Sequence, residues 1–242
     1  MPPAAQRATI VSAIIPCLNE EAAIGPVVTA VFAKGIGEVI VVDGGSRDAT
    51  ASRAAGAGAR VVIEPQRGYG RAIQAGIAAL RADAAIVVFI DGDGSDPAEH
   101  VPALVAPIAA GEADFVLGSR VRGSREPGSV SVSQLAAALV GSILLRLTYG
   151  ARFSDLSPFR AISRDALERL GMRDLSYGWN LEMLMRVAAS ELRAREIPVG
   201  QRRRVGGQSK VSGNLAASVA AAWVLAVTFV RLAVLLRKER KA

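Results

Sequence analysis

The chain predicts an α/β fold, a mostly parallel sheet covered by helices on both faces, and three observations predict it. Short β-branched runs alternate with Ala-rich segments of helical spacing. The runs are continuously apolar, as strands buried on both faces are. At 242 residues the chain can also bury a sizeable core. A βαβα order of this kind implies right-handed crossovers between parallel neighbours.

Strands are expected at 9–15 (TIVSAII), 38–43 (EVIVVD), 60–64 (RVVIE), 85–91 (AIVVFID) and 114–119 (DFVLGS). Helices are expected between them at 21–34, 48–57, 70–82 and 97–110. Ser46 and Asp48 suit the start of the second helix, and Pro97 followed by Glu99 suits the first turn of the fourth. Further on, 135–147 (LAAALVGSILLRL) reads as an apolar helix, either covering an opening or packed in the core. Residues 215–236 are more apolar still, with Arg231 the one charge among them. A stretch of about 20 apolar residues is long enough to span a bilayer. Basic runs flank it on both sides, however, which favours keeping both ends on the same, cytoplasmic side. A helix lying in the bilayer interface or packed in a homo-oligomer is therefore the expectation, with a single spanning helix as the alternative.

The net charge of +7 points to an anionic partner: phosphate, a lipid headgroup or nucleic acid. Aromatic residues make up only 5% of the chain and the basic residues form no recognition helix, so no nucleic-acid partner is expected. Cys17 is the single cysteine, which excludes an intramolecular disulfide and a cysteine zinc site and fits a reducing compartment. The N-terminus shows no cleavable signal pattern, so the globular part is expected in the cytoplasm.

The run 87–97, VVFIDGDGSDP, ends an apolar strand in Asp91 and Asp93. Open α/β sheets hold ligands at the carboxyl ends of their strands. Two acids there suit Mg²⁺ or Mn²⁺, which bind through one or two carboxylates plus substrate phosphates. A solvated acidic turn is the plain alternative. An EF-hand is excluded, because the sixth and twelfth positions counted from Asp91 are Asp96 and Pro102 rather than Gly and Glu. A dinucleotide fingerprint is absent after the first strand, where the chain reads PCLNEE, and so is a Walker lysine loop. A phosphatase with Asp91 as nucleophile is a better rival, although such enzymes carry their motif on the first strand.

Pro16, Asn19 and Glu20 follow the first strand and Asp43 ends the second, so all should gather at the same sheet edge. Such hydrogen-bonding groups suit a nucleobase and ribose. Gly68 and Gly70 permit close backbone approach, to a ligand or within a tight turn.

Taken together, IIPCLNEE (14–21), VVDGGSRDAT (41–50), RGYGRAIQAG (67–76), FIDGDGSDP (89–97), DFVLGSR (114–120), DLSPFRAISRDAL (155–167) and RRRVGGQSK (202–210) resemble the family 2 glycosyltransferases, specifically the dolichol- or polyprenyl-phosphate mannose synthase-like branch. The resemblance implies a GT-A fold over 1–212, with a nucleotide-binding half at about 9–120, an acceptor half at about 121–212, and an apolar membrane-associated helix with basic tail at 213–242. It assigns Asp91 and Asp93 to the donor diphosphate and its Mg²⁺ or Mn²⁺, with Ser95 a weaker metal candidate. The implied reaction is inverting transfer of a sugar from a UDP- or GDP-linked donor to an acceptor, most naturally a polyprenyl phosphate at the membrane. Family members usually carry two acids where Asp43 is followed by Gly44, which leaves the choice between uracil and guanine open.

A phosphate acceptor is already ionised and needs cations, which Arg120, Arg202, Arg203, Arg204 and Lys210 could supply. A hydroxyl acceptor would need a base, for which Asp155 and Glu182 are the candidates; the lone histidine, His100, reads as a surface residue. A catalytically silent sugar-nucleotide binding module is the remaining alternative.

Overall fold

The computed structural model describes residues 9–206 and 215–239. Seven strands form one sheet: β1 (Ile10–Cys17), β2 (Glu38–Asp43), β3 (Arg60–Ile63), β4 (Ala84–Phe89), β5 (Phe115–Ser119), β6 (Arg160–Ser163) and β7 (Ala194–Pro198). Their spatial order is β3-β2-β1-β4-β6-β5-β7. The four strands from β3 to β4 are parallel, as expected from their crossovers through α1 (Ile24–Phe32), α2 (Thr50–Gly56) and α3 (Tyr69–Ala78). β6 then runs antiparallel to both β4 and β5, and β7 is parallel to β5. Neither β6 (RAIS) nor β7 (AREIP) is among the strands expected from the sequence, because both are short and carry charges.

Neighbouring residues on the central strands feed opposite layers, which is the period-2 alternation of a sheet covered twice. Ile15, Val41 and Val88 pack with α1 and with Leu104 of α4 (Val101–Ala109). Ile14, Ile40 and Phe89 pack on the other face with Trp179 and Met183 of α7 (Trp179–Ala188).

Two element starts move from their expected places. The second helix begins at Thr50 because Asp48 accepts hydrogen bonds from the Thr50 N–H and hydroxyl and from the Glu21 N–H, so it braces the turn before the helix. The fourth begins with a 3-10 turn at Ala98–His100 that leads into α4.

The apolar run near 135–147 becomes α5 (Val132–Tyr149). Ser131 and Gln134 form a capping box at its start, and Gly150, at φ 71°, closes it in the left-handed conformation. By length and composition it is the one helix among the described residues long and apolar enough to cross a membrane. The last helix, α8 (Leu215–Glu239), packs on α5 and α7, with Phe229, Leu232 and Leu236 in the same core as Trp179. Each such burial stabilises by about 1.5–3 kcal/mol. The charge that interrupts its apolar sequence is explained: Arg231 pairs with Asp174 at 2.6 Å. Glu239 likewise pairs with Arg173 and Arg186.

Candidate active site

The loops after β1, β2 and β4 meet at one sheet edge and open into a cleft of about 950 Å³. The first two are stitched together by hydrogen bonds. Asn19, held at φ 55°, receives the Arg47 N–H on Oδ1 and donates its own N–H to the Ser46 hydroxyl. The Glu20 N–H reaches Thr50 Oγ1 at 2.8 Å. Pro16, Asn19, Glu20 and Gly44 line the cleft on this side. Asp43 does not: it is buried, and its carboxylate accepts from the Ser46 N–H and hydroxyl. The acid expected to face a base or ribose instead braces the turn that presents Gly44.

The acidic segment forms the floor. β4 ends at Phe89, so Asp91 lies past the strand end, partly enclosed, and its N–H donates to Asp96 Oδ2 at 3.1 Å. Asp93 accepts the Ser95 N–H and lies 3.5 Å from Arg204 Nε. Asp91, Asp93, Ser95 and Asp96 all line the cleft. Burial, then the charges of Asp96 and Asp93, push the Asp91 carboxyl well above the usual carboxylate range. The Asp96 carboxyl is pushed up to about 7, by burial first and the Asp93 charge second. Crowded carboxylates of this kind favour a bound cation, and an all-oxygen donor set suits a hard one. Among the described residues no three acidic, His or Cys groups form a ready-made metal cage.

Gly68 also lines the cleft, but its missing side chain makes room for protein rather than ligand. A Cβ there would stand 2.4 Å from the Leu175 carbonyl oxygen, and one on Gly70 would stand 2.2 Å from that of Asp174. The Gly70 and Arg71 N–H groups donate to the Ser176 and Leu175 carbonyls, clamping the 174–178 loop against the start of α3. Tyr177 of that loop stacks on Tyr69, ring centroids 6.3 Å apart, to make one wall.

Another part of the lining is cationic, with Arg120 and Arg204 within charge range of the acidic floor. Arg120 lies beside Asp155, donating its N–H, Nε and Nη2 to that carboxylate at 2.8–2.9 Å. Burial alone would push Asp155 up, but the hydrogen bonds and charge of Arg120 hold it below its ordinary value. The triple arginine divides three ways. Arg202 pairs with Glu99, Arg203 donates to the Pro127 carbonyl while lining the cleft, and Arg204 joins Glu20 to Asp93. Lys210 lies outside the described residues.

Both candidate bases are spoken for. Asp155 is committed to Arg120, and Glu182 is wholly buried away from the cleft, where it accepts the N–H groups of Arg173 and Asp174 and pairs with Arg186. His100 is more than a surface residue, since its Nε2 accepts the Gly200 N–H at 2.9 Å and so ties the segment before the arginines to the 3-10 turn.

Sequence reasoning missed Asp96, Tyr177, Ser129 and Gln201, all of which line the cleft. Ser129 Oγ and Gln201 Oε1 are buried without a hydrogen-bond partner among the described residues. Asp96 had a signal, as the third acid of DGDGSD; the others had none, because Tyr177 reaches the cleft through the clamp on Gly70 and Arg71, and Ser129 and Gln201 through the backbone pairing of 124–126 with Gln201.

Residues 12–171 match the family described as glycosyl transferase family 2. The chain belongs to glycosyl transferase family 2. It is 42% identical over 213 residues to an uncharacterized glycosyltransferase of Mycobacterium tuberculosis, covering 87% of this chain and 94% of that one. A dolichyl-phosphate hexose transferase of Haloferax volcanii is 32% identical over 197 residues, covering 78% and 81%. Among solved structures, glucosyl-3-phosphoglycerate synthase from Mycobacterium tuberculosis in complex with Mn²⁺, UDP and phosphoglyceric acid superposes with a TM-score of 0.71 at 27% identity, covering 93% of this chain and 78% of that one. The fold of this glycosyltransferase is therefore GT-A, and the family match removes the reading of Asp91 as a phosphatase nucleophile.

Proposed function

We propose that this glycosyltransferase transfers a sugar, with inversion, from a UDP- or GDP-linked donor to an acceptor that presents a phosphate oxygen, a polyprenyl phosphate at the membrane. The observation that carries the reading is the charge lining of the cleft, in which Arg120, Arg203 and Arg204 accompany the carboxylates, while Asp155 and Glu182, the two acids weighed as bases, are both committed to arginines. A hydroxyl acceptor would need a base to take its proton, whereas a phosphate arrives as an anion and needs only cations and orientation.

In this reading Asp93, with Asp91 and Ser95, would hold Mg²⁺ or Mn²⁺, which supplies Lewis-acid neutralisation of the charge growing on the leaving diphosphate. Pro16, Asn19, Glu20 and Gly68 border the nucleoside, and Arg204 bridges Glu20 and Asp93 where that diphosphate would lie. Arg120, held by Asp155, and Arg203 orient the acceptor phosphate. Its oxygen forms the new bond to the sugar C1 as the bond from C1 to the donor phosphate breaks, and the electron pair leaves with the nucleoside diphosphate. The transition state is oxocarbenium-like, as in other glycosyl transfers. The name of one relative, a dolichyl-phosphate hexose transferase, supports a lipid-phosphate acceptor. A cytoplasmic protein resting on the inner face of the cell membrane fits this substrate pair, with 9–120 serving the donor and 121–212 the acceptor.

The test is a panel of labelled UDP- and GDP-sugars with Mn²⁺, offered polyprenyl phosphate, phosphoglycerate or free sugar hydroxyls. Label entering the lipid fraction in an alkali-stable, inverted linkage is the expected result. Label found only on hydroxyl acceptors would overturn the acceptor reading, and donor binding without any turnover would leave a silent binding module.

A further inference from the structure

We propose that an apolar groove along α5 receives the hydrocarbon chain of the acceptor, an inference that rests on the lipid-phosphate reading above. The groove encloses about 590 Å³. Leu135, Leu139 and Ile143 of α5 form one side, and Val121 and Phe153 the other. Leu139 is 63% and Ile143 48% exposed, large aliphatic groups left to solvent on a helix whose opposite face is core. The two serine hydroxyls that line it are satisfied within the protein, since Ser142 Oγ donates to the Ala138 carbonyl at 2.6 Å and Ser154 Oγ hydrogen-bonds Ser119 Oγ at 2.8 Å.

Its position selects the occupant. Groove and cleft share a wall at three places in the chain: Arg120 lines the cleft and Val121 the groove, Gln134 the cleft and Leu135 the groove, and Ser154 of the groove adjoins Asp155, the partner of Arg120. On α5 the residues Ser131, Gln134, Ala138, Ser142 and Arg146 follow helical spacing along one stripe, so a ligand leaving the arginine-lined part of the cleft runs directly onto the groove. From Leu135 to Arg146 the helix rises about 17 Å, room for several isoprene units. Arg125, Arg146 and Arg152 stand around the groove, and none has an ion-pair partner among the described residues. They complement the headgroup phosphates of a bilayer from which the chain would emerge. The same three charges oppose a second copy seated there by symmetry, because like would face like.

The experiment compares dimethylallyl, geranyl and farnesyl phosphate as ligands of the full chain with Mn²⁺ and UDP or GDP, by calorimetry. Affinity should rise about tenfold per added isoprene unit as the chain fills the groove. The double variant Leu139→Gln with Ile143→Gln should bring farnesyl phosphate down to the affinity of dimethylallyl phosphate, leaving that short ligand and the nucleotide unchanged; the unchanged binding shows that the variant is folded. Affinity that does not depend on chain length, with dimethylallyl phosphate still bound, overturns the groove and spares the phosphate-acceptor reading. A chain-length gain that survives in the double variant also overturns it. If no prenyl phosphate binds while nucleotide does, both readings fall together. Loss of every prenyl phosphate from a variant that dimerises differently would assign the face to a second copy instead.

Discussion

The parts of this glycosyltransferase proposed to serve donor and acceptor solve opposite electrostatic problems with different backbone plans. The donor side is a run of parallel strands whose carboxyl ends carry short loops and acids; each loop sits where its strand delivers it. The acceptor side is arginine-rich and assembled from distant pieces: β6 inserted antiparallel between β4 and β5, β7 added at the edge, and a wall drawn from residues 120, 128–134 and 201–204. Acids on a parallel edge collect a cation and its diphosphate without further support. The arginines need bracing before they can aim at anything, and Asp155, Glu126 and the Pro127 carbonyl supply it.

The largest effect should come from the donor side. Asp93→Asn should lower transfer by about a hundred- to a thousandfold and abolish the metal dependence of nucleotide binding; steady-state rates and calorimetry check it, and retained metal-dependent turnover would dissolve the assignment. Asp155→Asn tests whether bracing is what the acceptor side lacks on its own. Breaking that buried pair should cost about 3–5 kcal/mol of stability, read by denaturant unfolding. Next comes the join between the halves: Gly70→Ala pushes a Cβ to 2.2 Å from the Asp174 carbonyl oxygen. A loss of about 1–3 kcal/mol is expected, with weaker nucleotide binding as the 174–178 loop moves off Gly68. Arg203→Ala should raise the acceptor KM about tenfold and leave the donor KM unchanged, since the hydrogen bonds of a charged group are worth roughly 1.5–3 kcal/mol; equal losses on both substrates would mean that the two sides are not separate.

The smallest effect concerns the strand that completes the acceptor side. Arg193, just before β7, holds Asp114, and its hydrogen bonds lower that carboxyl to about 2 from an ordinary 3.8. A depressed carboxylate contributes stability that is fully present above its unfolded value and lost as pH falls through its folded one. Stability should therefore fall between about pH 4 and pH 2, and Arg193→Gln should remove up to about 1 kcal/mol of that slope.

How legible each half was follows from the same contrast. All five strands expected from hydrophobic runs are present, along with the helices between them, because burial on both faces forces a signal into the local sequence. Of the residues expected at that edge, Pro16, Asn19, Glu20, Gly68, Asp91, Asp93 and Ser95 line the cleft, whereas the Asp43 carboxylate is claimed by a serine three residues on, and Leu18, Gln66, Arg67 and Tyr69 line it without having been expected. Arg160 shows why the rest was not legible: it sits wholly buried in β6, donating to the carbonyls of Ser157 and Asn180, and nothing in RAIS distinguishes that strand from a charged loop. The fates of Arg202, Arg203 and Arg204 were equally hidden, since three identical neighbours differ only in which distant partner each meets.

What the sequence determined by itself is the order of the first five strands and the helices between them, the acidic edge, and the family. Those depend on periodicity and on motifs that are local in the chain. Only the tertiary structure decided that Asp155 and Glu182 pair with Arg120 and Arg186, that Gly68 and Gly70 yield space to protein, and that an apolar groove on α5 adjoins the arginine-lined part of the cleft. Each of those is a pairing between residues far apart in sequence, and a side chain's chemistry is set by the partner that folding brings to it.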